Sequence, residues 1–263
     1  MNDWLEVCRT ATEDVRGVLR DLPTRTEREP VVGDGVGGDE TTAVDAAAES
    51  VILERLKAID GATIVSEEVG ELKGDGRLRV VVDPIDGSLN AKRGIPFFSL
   101  SVAVAEGEAM DDVVFGYVYD FGSGEEWTAE RGGGARLNGV ALGDVRPKEQ
   151  IEILSFEATL TSLVAEKAPA MVDLAYRLRI MGSLALTLCH LADGRVDAVC
   201  SLKAARAVDI AAAQLLVRER GLAIDLPEAP PFGAAPLDVA GRSRVVAAAT
   251  PGLCAELFAA LSQ

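Results

Sequence analysis

An apolar, β-like run, Arg79-Val80-Val81-Val82, leads directly into Asp83-Pro84-Ile85-Asp86-Gly87-Ser88-Leu89-Asn90. Two carboxylates therefore lie three residues apart, just past a strand and just before a glycine turn. Every group there that can bind a ligand does so through oxygen. Such a cluster suits a hard divalent cation, and Gly87-Ser88 beside it can hold an anion. A strand end of this composition points to phosphate chemistry on metal ions.

The 263 residues predict one large or two modest domains with a substantial core. Residues 3–21 read as an amphipathic helix with Leu5, Cys8, Val15, Val18 and Leu19 on one side, and residues 43–58 as a second helix. Between them Gly33-Asp34-Gly35-Val36-Gly37-Gly38-Asp39-Glu40 has little reason to pack and is expected to be mobile. A short strand over 62–65 ends at Ser66-Glu67-Glu68. Strands over 79–82, 97–105, 113–119, 126–129 and 135–137 then predict an antiparallel sheet across residues 78–142. After Arg146-Pro147 short strands (151–155, 177–181, 196–200, 222–224, 243–247) alternate with helices (159–173, 183–193, 206–219, 251–262), which argues for an α/β layer. The expected division is an N-terminal α+β half over residues 1–145, carrying the sheet and most metal ligands, and a C-terminal α/β half over 146–263.

A net charge of −16 argues against nucleic-acid or anionic-membrane partners reached through a basic face. Cys8, Cys189, Cys200 and Cys254 have no CxxC spacing, and the single histidine, His190, lies on an apolar helix where a structural role fits. That argues against a zinc site and a disulfide framework, and reduced cytoplasmic thiols are expected. Residues 1–22 lack the apolar core of a signal peptide, and no window is long and apolar enough to span a bilayer. The Gly33–Gly38 stretch lacks the Lys-Ser/Thr of a P-loop.

Three acidic spots fall at predicted element ends: Glu67 and Glu68, Asp83 and Asp86, and Asp209 within Arg206-Ala207-Val208-Asp209-Ile210-Ala211. Alone, Asp-Pro-x-Asp-Gly is a common turn, Asp209 a helix N-cap, and Asp45 an acid near a helix start. Brought together, the carboxylates would repel one another unless divalent cations resolved the repulsion.

These residues resemble the inositol monophosphatase family. The resemblance covers nearly the whole chain and is closest to the archaeal-type enzymes that hydrolyse both inositol monophosphate and fructose 1,6-bisphosphate. Gly38-Asp39-Glu40-Thr41, Ile64-Val65-Ser66-Glu67-Glu68, Gly94-Ile95-Pro96-Phe97-Phe98 and Arg206-Ala207-Val208-Asp209 carry that closer likeness. It implies a layered αβαβα sandwich within the α+β and α/β classes, a homodimer, and about two or three Mg²⁺ per active site. It implies as metal ligands Glu67, Asp83, Asp86, Asp209 and the Ile85 carbonyl, with Glu68 behind them and Asp39 approaching on a closing loop. Ser88 and Asp45 would orient and deprotonate the attacking water, with Glu67 as the third catalytic residue. Gly87 and Ser88 would hold phosphate through backbone N–H groups, and Gly182, Ser183, Lys203, Arg206 and Asp209 would contact substrate. Family members more often carry Thr where Ser88 stands, and Ser keeps the hydroxyl.

The stretch Ser201-Leu202-Lys203-Ala204-Ala205-Arg206 holds no acid where inositol-selective members place one before the last metal aspartate. Lys203 and Arg206 are expected instead to meet a second phosphate, with Arg177 and Arg179 as contributors. The expected function is Mg²⁺-dependent hydrolysis of sugar phosphomonoesters by metal-activated water. The alternatives are a 3′-phosphoadenosine 5′-phosphate phosphatase, which would want an aromatic platform that 5% aromatic residues supply poorly, and a regulatory homologue without turnover.

Overall fold

The computed structural model describes residues 4–36, 38, 40–144, 148–157 and 160–262. Helix α1 (Trp4–Asp21) and a one-turn α2 (Arg25–Arg28) precede a hairpin of β1 (Val31–Asp34) and β2 (Glu40–Thr42), which runs into α3 (Ala43–Leu56). β3 (Thr63–Ser66), β4 (Gly70–Leu72), β5 (Arg79–Asp86), the short α4 (Ser88–Arg93), β6 (Ser99–Ala105), β7 (Val113–Asp120), β8 (Glu126–Glu130), β9 (Gly134–Leu137) and β10 (Val140–Ala141) follow. The rest is β11 (Ile151–Glu157), α5 (Thr161–Lys167), β12 (Ala175–Arg179), α6 (Leu184–Ala192), β13 (Ala198–Ser201), α7 (Ala207–Glu219), β14 (Ala223–Asp225), β15 (Val246–Ala248) and α8 (Pro251–Leu261).

Two sheets and three helical layers alternate. The eight-stranded sheet runs β10-β9-β8-β7-β6-β5-β3-β4 and the five-stranded sheet β12-β11-β13-β15-β14. Side chains alternate across a strand, so β5 feeds two cores at once. Val80 and Val82 join Leu100, Val102 and Tyr117 against Cys8, Val15, Ala48 and Ile52 of α1 and α3. Val81 faces the other way, with Trp127 and Ala129, onto Leu188 of α6 and Ala212 and Leu216 of α7. Those two helices also cover Val199 and Ala247 of the second sheet. That sheet's far side packs Leu154, Phe156, Cys200 and Val246 against Leu253 and Leu257 of α8. A strand buried on both faces requires a continuous apolar run, which β5 has over residues 80–82.

Four expectations need correction. The large sheet is mixed: β3 pairs parallel with β5, and β3 and β4 extend it beyond residue 78. The stretch around residues 33–40 is not left unpaired, because β1 and β2 form an antiparallel pair and the Val36 amide donates to the Glu68 carbonyl at 3.1 Å. The helix expected over 159–173 is α5 followed by a 3₁₀ turn, Ala168–Met171. Pro169 has no N–H to extend the α-helical ladder. The strands read at 177–181 and 243–247 lie at Ala175–Arg179 and Val246–Ala248. Among the described residues no helix is long and apolar enough to cross a membrane.

Candidate active site

The parallel register pairs Ser66 with Val82, so Glu67, just past β3, and Asp83, still within β5 opposite Ser101 of β6, follow side by side; β5 runs on to Asp86, beyond the strand expected over 79–82. Past Asp83 the pairing of β5 with β6 is irregular. There the Asp83 carboxylate accepts the Ile85 amide at 2.9 Å, the local bond that Asp favours in turns. The Ser88 hydroxyl donates back to the Ile85 carbonyl at 3.0 Å. Gly87 adopts φ 96°, and a Cβ there would sit 3.0 Å from the Gly182 carbonyl, so both conformation and space call for glycine.

Helices α6 and α7 bring their N-terminal ends to the same place. The Ser183 hydroxyl, which caps α6, donates to Asp86, and the Ala185 amide donates to the same carboxylate oxygen at 2.8 Å. Asp209, in the first turn of α7, accepts the Arg206 amide at 2.8 Å. Glu67, Asp83 and Asp209 each offer a carboxylate oxygen, and the three oxygens lie within 4.8 Å of one another. Asp83 is only 2% exposed.

Crowding buried Asp83 against half-buried Glu67 and Asp209 makes ionisation costly. Burial first, and then the Asp209 charge, push Glu67 up to about 8. Burial, followed by Glu67, Asp86 and Asp209, holds Asp83 well above the usual carboxylate range. Asp86 is pushed up to about 7 by burial and Asp209, against the pull of its bonds to Ser183 and Ala185. The Arg206 guanidinium donates to Glu67, and its Nε lies 4.0 Å from Asp209. An all-oxygen donor set whose charges repel one another in a water-poor space fits a hard divalent cation.

A cavity of about 330 Å³ opens over this cluster. Glu67, Asp83, Ile85, Asp86, Gly87, Ser88, Gly182, Lys203, Arg206 and Asp209, all expected from sequence, line it. Other expected residues lie elsewhere. Ser183 is 1% exposed, and its hydroxyl donates to Asp86. Asp45 is buried at the start of α3, where one oxygen accepts from the Thr42 amide and hydroxyl and the other has no hydrogen-bond partner among the described residues. The Ser88 hydroxyl is bonded to Ile85 and not to Asp45. Glu68 accepts from the Thr41 hydroxyl. Arg177 and Arg179 are exposed on edge strand β12, outside the cavity lining, with the Arg177 guanidinium 3.9 Å from the centre of its neighbour Tyr176. Asp39 lies outside the described residues. His190 packs edge-on to Phe97 at 5.4 Å, as a structural histidine would.

The cavity also takes Glu157, Asn90 and Arg242, which the sequence reading passed over. Glu157 follows the rule that marked Glu67 and Asp83, an acid at the end of an apolar strand, and was legible. It is 1% exposed and accepts from the Ser155 and Thr187 hydroxyls, each at 2.8 Å, and from the Gly182 amide. Asn90 donates to the Phe97 and Met181 carbonyls at 2.8 Å, tying α4 to the loop before α6. Arg242 comes from a loop without local pattern, and nothing in the sequence marks it.

The sequence pattern of the inositol monophosphatase family matches residues 4–263. A fructose-1,6-bisphosphatase/inositol-1-monophosphatase of Thermococcus kodakarensis is 34% identical over 220 residues, 83% of this chain and 82% of the relative. The Nus factor SuhB of Escherichia coli is 34% identical over 238 residues, 86% of each chain. A crystal structure of an inositol monophosphatase-fructose 1,6 bisphosphatase superposes with a TM-score of 0.86 at 28% identity, covering 98% of this chain and 100% of that one.

Proposed function

Because the chain belongs to the inositol monophosphatase family, we propose that it hydrolyses phosphomonoesters of sugars, inositol 1-phosphate and fructose 1,6-bisphosphate, with magnesium at Glu67, Asp83, Asp86, Asp209 and the Ile85 carbonyl. The observation that carries this reading is the meeting of carboxylate oxygens of Glu67, Asp83 and Asp209 within 4.8 Å of one another, from just past β3, from within β5 and from the first turn of α7. Magnesium, when bound there, supplies the positive charge that activates a water and offsets charge on the phosphate.

The chain's own groups do the rest. The Gly87 and Ser88 amides, at the turn into α4, hold phosphate oxygens. The Ser88 hydroxyl, at the cavity wall beside the carboxylate cluster, orients the attacking water, and Glu67 takes up the proton that water releases. Ser183 and the Ala185 amide fix Asp86 in place. The Glu157 contact to Gly182 holds the backbone that crosses Gly87. Lys203 and Arg242, both on the cavity wall, supply positive charge for a second phosphate in a protein whose overall field repels anions.

The name Nus factor borne by one relative raises a second reading, a regulatory protein without turnover. The complete acidic set favours catalysis. Phosphate release from inositol 1-phosphate, fructose 1,6-bisphosphate and 3′-phosphoadenosine 5′-phosphate, with and without Mg²⁺, decides between them. Magnesium-dependent release from the first two is expected, preference for the adenosine bisphosphate would redirect the substrate assignment, and no release from any would favour the regulatory reading. The proposal includes a cytoplasmic homodimer. Tyr176, Leu178 and Ile180, exposed on and just after edge strand β12, support an interface, and sedimentation measures it.

A further inference from the structure

The acidic cluster has a cation of its own. Arg206 immediately precedes α7, and its amide donates to Asp209 at 2.8 Å. Its side chain crosses to Glu67, 139 residues away in sequence, and donates to that carboxylate. Only 7% of the residue is exposed, so the guanidinium lies inside the protein rather than at the cavity rim. It touches one of the three carboxylates that converge and lies 4.0 Å from a second. A buried guanidinium against carboxylates is held firmly, because removing it leaves unpaired charge. A divalent cation would need the same oxygens, and two cations close together in a water-poor site repel strongly.

We propose that Arg206 is a tethered competitor for the metal. Its guanidinium occupies Glu67 and lies beside Asp209 in the metal-free chain, and leaves Glu67 when the cation binds. It then turns into the cavity it already lines, where phosphate oxygens are its natural partner. The inference rests on the reading of this cluster as the metal site. Its consequence is a linkage: an anion that draws Arg206 away strengthens metal binding, and metal binding frees Arg206 for the anion by the same factor. Arg206 is a positioning residue for both ligands.

The test titrates Mg²⁺ calorimetrically into metal-free wild type, R206M and R206K, each with and without inorganic phosphate. R206M should bind Mg²⁺ more tightly than wild type by about 5–150-fold, the usual span of coupling between two ligands. Phosphate should tighten Mg²⁺ binding in wild type and lose most of that effect in R206M. R206K keeps a charge, and so a neutralised cluster, but its ammonium makes a single-point contact. It should fall between the two, which keeps the test decisive if R206M does not fold. Magnesium affinity in R206M or R206K equal to or weaker than wild type overturns the inference while leaving the metal reading intact. A wild type that takes up no Mg²⁺ sinks both.

Discussion

The buried Glu157 carboxylate accepts the Gly182 amide at 2.8 Å, joining the end of β11 to the backbone that passes over Gly87. The same carboxylate holds the Ser155 and Thr187 hydroxyls. Glu157→Ala removes the acceptor of the Gly182 amide, at a cost of about 1–3 kcal/mol for a buried group left unsatisfied, while the Thr187 and Ser155 hydroxyls keep the Ser183 and Arg179 carbonyls. The urea midpoint should fall clearly, and turnover should fall with it as Gly182 loses its anchor. Glu157→Gln, which keeps an acceptor, should lose much less. An unchanged midpoint in the alanine variant would show that water replaces the carboxylate.

Asp83→Asn removes one charge from the centre of the acidic cluster. A neutral amide oxygen holds a hard cation poorly, so Mg²⁺ affinity and activity should drop by orders of magnitude. The metal-free variant should melt no lower than wild type, since one member of a mutually repelling set has gone. Turnover like that of wild type at low Mg²⁺ refutes the assignment of Asp83 as a ligand.

Ser88→Ala deletes the hydroxyl that bonds to the Ile85 carbonyl but keeps the backbone amides at the turn. Turnover should fall about 10²–10⁴-fold, the usual worth of proton-transfer assistance. KM should change far less. A variant altered in KM alone would make Ser88 a binding group only.

The metal-free protein should lose stability as pH rises. Glu67 is raised from 4.5 to about 8 and Asp86 from 3.8 to about 7, so the folded state holds protons that the unfolded chain releases. That contribution is complete below the unfolded values and is lost as pH climbs through about 7 and 8. Melting temperatures in chelator should therefore fall between about pH 5 and pH 9. Saturating Mg²⁺ should remove the fall, because the ionised form is then the one stabilised. A flat profile in chelator would mean that the carboxylates ionise without penalty.

Much of this site was legible because its signals are local. The β-branched run before Asp83 marks a strand, Gly87 marks a turn, and the acids after Ser66 and Val82 mark strand ends whatever the rest of the chain does. The layered fold could be read as a resemblance, but the hairpin of β1 and β2 could not. Its glycines carry no apolar pattern, and the pairing is made by the backbone.

What the sequence by itself determined was which oxygen ligands exist and that they gather near strand ends and a helix start, since strand propensity, turn chemistry and helix starts act over a few residues. Tertiary structure alone decided how those ligands are used. Packing α6 and α7 between the two sheets sends Ser183 to Asp86, 97 residues away, and Arg206 to Glu67. The Ser183 hydroxyl thereby supports an acid, and the Arg206 guanidinium comes to lie against the carboxylate cluster. The physical reason is burial: once water is excluded, each charge must be answered by whichever group the packing brings within reach, and sequence distance says nothing about which group that is.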